Sequence, residues 1–286
     1  LVPVKMGFGS FVELIGDAGI GKSRIVEELC ERAGGLPVLT AACEPYESTT
    51  PYFAFRQLLV GVLQLETGGD INANTRALSE RLAAIDSELV PWAPLVADVV
   101  DIPVSSTREA DELQPAFRRA RLNGVVETLL TRVLDKPTLV LFEDTHWMDE
   151  ASSDLLRHLG TRVSTKPWLI CSTRRPVGAG FAATTGTPAV PALSLRLDPL
   201  PEEDAQALAA AAAEDTLPAD QLAAITERAG GNPLFVQELV AATRAHEQDI
   251  EALPLSVEGV VTSRMDSLAP ADRAPPRLAS DAAPSL

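Results

Sequence analysis

The sequence predicts an α/β protein, a three-layer core built on a parallel sheet and followed by a small all-helical domain. Three observations carry that expectation. Short apolar runs, FVELI at 11–15, PVLTAA at 37–42, TLVLF at 138–142 and WLICS at 168–172, have the length and unbroken hydrophobicity of strands buried on both faces. Helical patterns lie between them, so successive strands are joined by crossovers. After Pro201 the pattern is helical alone, through PEEDAQALAAAAA, PADQLAAITERAGG, NPLFVQELVAATR and SVEGVVTSRMDSL.

Each element has its own signal. Residues 22–33 place Ile25, Val26, Leu29, Cys30 and Ala33 on one helical face and stop at Gly34-Gly35. Residues 46–110 exceed one crossover and read as a helical insertion between the second and third strands, with Pro51 at a first helical position and a further helix around 73–85. Leu122, Val125, Val126, Leu129, Val133 and Leu134 form the stripe of a long helix that stops before Pro137. From 177 to 191 small residues mark a loop, and ALSLRLDPL alternates with period two, as a half-exposed final strand does.

Composition narrows the function classes. With 286 residues, 46% of them hydrophobic, the chain has enough apolar material for a real core. A net charge of −16, from 40 acidic against 24 basic residues, disfavours a long nucleic-acid backbone as ligand. Cys30, Cys43 and Cys171 stand apart with no CxxC pair, so they predict buried thiols in a reducing cytoplasm rather than disulfides or a zinc site. No apolar stretch reaches the ~18 residues of a membrane span. A first strand almost at Leu1 and a proline-interrupted end, ADRAPPRLASDAAPSL, predict that the chain is part of something longer.

The chemistry begins at GDAGIGKS, Gly16 to Ser23, which fits G-x-x-x-x-G-K-[ST] between a buried strand and an amphipathic helix. In that setting backbone N–H groups from Gly16 through Asp17, Ala18, Gly19, Ile20 and Gly21 to Arg24 converge with the helix N-terminus on phosphate oxygens. Lys22 offers charge to the β- and γ-phosphates, and the Ser23 hydroxyl is a ligand for Mg²⁺. Hydrolysis needs carboxylates at a second strand end, and LVLFED lifts Glu143 and Asp144 out at that edge. The usual order is aspartate at the metal and then glutamate as base. Here it is reversed, so Glu143 and Asp144 both stand as candidates for metal and catalytic roles. In CSTRRP, Arg174 and Arg175 end the next strand, where an arginine senses the γ-phosphate or stabilises charge developing on it. Arg118, Arg119 and Arg121 form a basic cluster without an aromatic platform, which reads as a solvated helix face.

Together, GDAGIGKSRIVEEL, LFEDTHWMDEASSDLLRHL, CSTRRP and GGNPLFVQELV resemble the ATPase module of the STAND class, relatives of AAA ATPases. The resemblance runs from about residue 10 to 272. It is strongest to the module of large bacterial proteins that also carry a class III adenylate or guanylate cyclase domain or a helix-turn-helix activator domain. It implies a P-loop NTPase core over 1–200, with the helical insertion at about 46–110, and a helical lid over 201–286 that is C-terminally truncated. It also implies that Gly231, Asn232 and Pro233 match the lid's G-x-P element, whose proline approaches the adenine-ribose side of the nucleotide. His146 and Trp147 match the HW after the acidic pair. Of these, His146 is a candidate supporting residue and Trp147 reads as packing against the sheet edge.

The expected function is a cytoplasmic switch that binds ATP or ADP with Mg²⁺ and hydrolyses ATP slowly. Its expected partners are other domains of a longer chain and further copies of itself on activation, with no membrane and no direct nucleic acid. A non-hydrolysing nucleotide-binding scaffold is the alternative, favoured by the Glu-Asp reversal. An initiator-type DNA-loading AAA ATPase is a third reading, which the acidic charge and the absence of a basic winged-helix patch oppose.

Overall fold

The computed structural model describes residues 2–65, 70–214 and 217–246. Among them, five parallel strands form one sheet: β1 (Ser10–Ile15), β2 (Val38–Ala42), β3 (Thr138–Glu143), β4 (Trp168–Arg174) and β5 (Leu193–Arg196). Their order is β2-β3-β4-β1-β5. The helices are α1 (Val2–Lys5), α2 (Lys22–Ala33), α3 (Phe53–Leu63), α4 (Ile71–Ile85), α5 (Ala93–Val100), α6 (Arg108–Asp111), α7 (Pro115–Val133), α8 (Glu150–Gly160), α9 (Glu202–Ala213), α10 (Ala219–Ala229) and α11 (Pro233–His246). The α/β, parallel-sheet expectation is met.

The three layers follow from the pleat. Along β3, Leu139 and Leu141 join Leu14, Val26, Ala33 and Leu169 in a cluster on the α2 side, while Val140 and Phe142 join Phe55, Val126, Leu129 and Leu155 on the other. Successive residues of a strand point to opposite faces, so both faces of β3 are apolar because both are covered. The segment between β2 and β3 supplies much of the larger core through Phe55, Leu59, Leu78, Leu82, Leu95, Val96 and Val99. It is part of the fold's interior and not a surface appendage.

Edge position separates the strands that the sequence treats alike. β1, β3 and β4 lie inside the sheet, but β2 pairs with β3 alone and buries only Ala41, against the expectation of a fully buried strand. β5 is the other edge, and all four of its residues are exposed rather than alternating. The Pro51 assignment also shifts. Helix α3 begins at Phe53, because Tyr52 turns left-handed at φ 60° and its N–H is taken by Asp149 Oδ1 at 3.0 Å. Among the thiols, Cys43 and Cys171 are buried, and burial pushes each up to about 12, whereas Cys30 is half-buried.

Contacts divide the chain into two compact units, one of Leu1–Asp17 with Lys22–Leu197 and one of Ala18–Gly21 with the residues from Asp198 onward. In the second, Ala209 and Ala213 pack with Ile225, Ala229, Phe235, Val236, Leu239 and Val240. Alanines at 205, 209 and 213 are buried one turn apart, so the alanine tract is a smooth packing stripe. Helix α10 ends at Ala229 and is capped by Gly230, φ 56°, followed by Gly231 at φ 77°, and Pro233 opens α11. The segment SVEGVVTSRMDSL lies outside the described residues. Among the described residues no helix is long and apolar enough to cross a membrane.

Candidate functional site

In the first unit the chain leaves β1 at Ile15, and Gly16 N–H donates to Arg174 C=O at 3.1 Å, extending the β1–β4 pairing past the strand. Lys22 starts α2 and turns its ammonium back to donate to Gly16 C=O at 3.0 Å and Asp17 C=O at 2.9 Å. Burial pulls that ammonium below the usual lysine range; Asp144 opposes the shift, Arg175 adds to it and Asp17 opposes it. Gly21 holds φ 101° with open space where a Cβ would stand, so its dihedral rather than crowding calls for glycine. Ser23 is exposed at the second position of α2, and Arg24 pairs in solvent with Glu27 at 3.2 Å.

The rest of the loop clusters with the second unit. Asn232 Nδ2 donates to Ala18 C=O at 2.8 Å, and Leu234 N–H donates to Gly19 C=O at 3.2 Å. At Gly19, φ 76°, a Cβ would lie 2.8 Å from Leu234 Cβ and 2.9 Å from Asn232 Oδ1, so only glycine fits. Asn232 Oδ1 also accepts Phe235 N–H at 3.2 Å, as the N-cap of α11 does.

Glu143 is the last residue of β3, and burial, then Asp144 and Glu27, push its carboxyl above the usual glutamate range. Asp144 follows in the left-handed region at φ 53°, with its N–H on Thr173 Oγ1 at 3.0 Å and its side chain 54% exposed. Because β1, β4 and β3 are parallel neighbours, the loop after Ile15, the Arg174-Arg175 end of β4 and the Glu143-Asp144 end of β3 leave the sheet at the same edge. The donor set fits Mg²⁺, because the Ser23 hydroxyl and the Glu143 and Asp144 carboxylates are hard oxygen ligands. Among the described residues no group of three or more His, Cys, Asp and Glu is arranged to hold an ion.

The two arginines separate clearly. Arg174 Nε donates to Glu13 Oε1 at 3.0 Å and its Nη1 to Arg175 C=O at 3.0 Å. Glu13 is fully buried and also accepts Ala183 N–H at 2.8 Å and Ser194 Oγ–H at 3.3 Å. Sequence reasoning missed Glu13, although a lone carboxylate inside FVELI is itself a signal, since a buried charge needs partners. Sequence reasoning also passed over the side chain of Asn232.

His146 is buried, whereas Trp147 is 37% exposed and its ring centroid stands 4.9 Å from the imidazole. Burial keeps His146 below the usual histidine range; Asp144 opposes this, and Arg175, Lys22 and Arg174 add to it. Among the basic cluster, Arg118 pairs with Asp98 at 2.7 Å, Arg119 with Asp154 at 2.6 Å, and Arg121 lies 4.3 Å over Trp92. Each is engaged within the fold.

Residues 1–171 match the family described as AAA ATPase domain. An uncharacterized protein of Rhizobium meliloti (strain 1021) is 31% identical over 255 residues, which cover 82% of this chain and 23% of that protein. The chain thus spans about a quarter of the length of that curated relative. Among solved structures, a Signal Transduction ATPase with Numerous Domains (STAND) protein with a tetratricopeptide repeat sensor, from Pyrococcus horikoshii, aligns at TM-score 0.42 and 13% identity over 93% of this chain and 31% of its own. The RuvB Holliday junction branch migration motor of Thermotoga maritima aligns at TM-score 0.43 and 11% identity, over 89% of this chain and 60% of its own. Drosophila ORC bound to DNA aligns at TM-score 0.39 and 13% identity, over 92% and 58%.

Proposed function

The chain belongs to the AAA ATPase domain family, and from that premise we propose that it is the ATP-driven switch module of a longer, cytoplasmic STAND-class regulator. ATP-dependent nucleotide chemistry belongs to the family; the switching role, the hydrolysis and the residues below are the proposal. The core comprises residues 1–200 and the lid 201–286, with signalling output from attached domains of the cyclase-associated or helix-turn-helix type and self-association on activation.

The observation that supports the reading is that the loop following β1 and opening α2 leaves the same edge of the parallel sheet as Glu143-Asp144 at the end of β3 and Arg174-Arg175 at the end of β4. In it, Gly16 to Arg24 cradle the phosphates, and Lys22 exchanges its two carbonyl partners for phosphate oxygens. Ser23, Glu143 and Asp144 are the residues that would hold Mg²⁺, which when bound would supply positive charge to the phosphate oxygens. Asp144, half exposed, orients the water that converts ATP to ADP and phosphate. Arg175 answers the γ-phosphate, since Arg174 is committed to Glu13. The resemblance to the STAND module makes Pro233 the candidate for the base and ribose side.

The test is ATP binding and phosphate release by the wild type and by Lys22→Ala, Glu143→Gln and Asp144→Asn. The expected result is binding lost in Lys22→Ala and turnover lost with binding kept in Asp144→Asn. Tight binding without phosphate release in the wild type overturns the hydrolysing switch and leaves the nucleotide-binding scaffold, which the reversed order of Glu143 and Asp144 favours. Retention of a duplex DNA on a filter would instead favour an initiator-type role.

A further inference from the structure

The strongest feature that the proposed chemistry leaves unused is His146. Its side chain is 4% exposed, and neither ring nitrogen, Nδ1 nor Nε2, has a hydrogen-bond partner although both are buried. Buried polar atoms without partners are rare and costly, and in native structures they call for an explanation. Here the turn bearing the ring is held from several directions. Thr145 Oγ1–H is shared between Thr173 C=O at 3.2 Å and Phe181 C=O at 3.3 Å. Phe181 N–H donates to Thr145 C=O at 2.8 Å, and Gly180 N–H to His146 C=O at 3.2 Å. A Cβ on Gly178 would stand 2.6 Å from His146 Cβ, so the following loop lies directly on the residue. This much local structure fixes an imidazole that completes no bond of its own.

What the mount does achieve is position: Nδ1 stands 3.8 Å from Asp144 Oδ1. A movement of about 1 Å closes that gap to a hydrogen bond. The Asp144 side chain, 54% exposed, has the freedom to make it. A neutral imidazole carries one N–H donor, and its other ring nitrogen carries a lone pair that only accepts. We propose that His146 is a positioning residue, which donates from Nδ1–H to Asp144 Oδ1 and leaves Oδ2 as the single carboxylate oxygen directed at the reacting water. The proposal rests on the hydrolytic reading of the site. It supplies what the reversed acidic pair lacks, because an aspartate at the second position is shorter than a glutamate and needs its direction set from outside.

The test compares wild type with His146→Asn, which keeps an N–H donor near the Nδ1 position, and His146→Leu, which keeps bulk without a donor. Turnover, KM, affinity for a fluorescent ADP analogue and thermal midpoint are measured on each. Loss of an outer hydrogen-bond partner of this kind costs roughly 10–100-fold in activity. The expected result is that loss in kcat for His146→Leu, with KM and ADP affinity within about twofold of wild type. His146→Asn recovers most of the rate. Equal losses in both variants, or a rate loss accompanied by a more than twofold change in KM or by a fall in thermal midpoint, overturn the proposal in favour of plain packing. A second readout is independent of turnover: ¹⁵N NMR of the imidazole in the nucleotide-free protein. A ring protonated at Nδ1, whose preference disappears in Asp144→Ala, supports the proposal even where the wild type releases no phosphate, an outcome that removes the hydrolytic reading alone. A ring protonated at Nε2, or one indifferent to Asp144→Ala, overturns it.

Discussion

Glu13 bears the most consequence of any single residue outside the phosphate loop, because it binds the middle of β1 to β4, to β5 and to the backbone at Ala183. Removing one partner of a buried ion pair leaves the other charge uncompensated, which costs about 3–5 kcal/mol. Glu13→Ala is therefore expected to lose about 3 kcal/mol of stability in equilibrium urea unfolding, and Glu13→Gln, which keeps the acceptor oxygen, to lose less. Glu143 acts in the opposite sense. Its carboxyl is raised by burial and by Asp144, so stability linked to its proton is fully present below the ordinary glutamate value of about 4.3 and is lost as pH rises through the raised one. Glu143→Gln should accordingly raise the thermal midpoint of the nucleotide-free protein at pH 7, with the gain shrinking toward pH 4. At this scale the loop residues Gly16, Gly21, Lys22 and Ser23 were legible because their spacing is local. The commitment of Arg174 was not, since its partner Glu13 lies 161 positions away.

Among the elements, α2 was readable to its ends, Lys22 and Ala33, because a motif opens it and paired glycines close it. The start of α3 was not readable. It depends on a bond from Tyr52 to Asp149, the residue that also caps α8 through Ser152 N–H at 2.8 Å. Helix α11 shows what punctuation conceals. Asn232 caps it with Oδ1 and serves Ala18 with Nδ2, so one amide fixes a helix start and a loop carbonyl. Asn232→Ala should lose both bonds and lower stability by about 1 kcal/mol in thermal unfolding. Asn232→Asp keeps the cap and loses only the donor to Ala18. It should fall between wild type and alanine in stability. The edge strands carry the complementary lesson, because PVLTAA and TLVLF have similar composition and only the neighbour count in the sheet decides which is buried.

At the scale of the whole molecule, the parallel sheet and the helices after Pro201 were legible from alternation of patterns along the chain. Strand order was not, since it is set by where each crossover lands. The proposed nucleotide chemistry predicts a global response. ATP with Mg²⁺ at a hundredfold excess over its dissociation constant should stabilise the protein by about 2.7 kcal/mol, read as a rise in thermal midpoint. Chelating the Mg²⁺ should shrink that rise, and Lys22→Ala should abolish it.

The exposure of Trp147 gives this chain an optical handle. Of its three tryptophans, Trp168 is sealed in the core, and Trp92 lies under the Arg121 guanidinium. Trp147 alone combines contact with water and an imidazole at 4.9 Å, three residues after the left-handed Asp144. Its emission should be the red-most component of the spectrum. A rearrangement of Asp144 and His146 on nucleotide addition should shift its intensity, and Trp147→Phe should remove that signal, so the site can be followed in real time without a label.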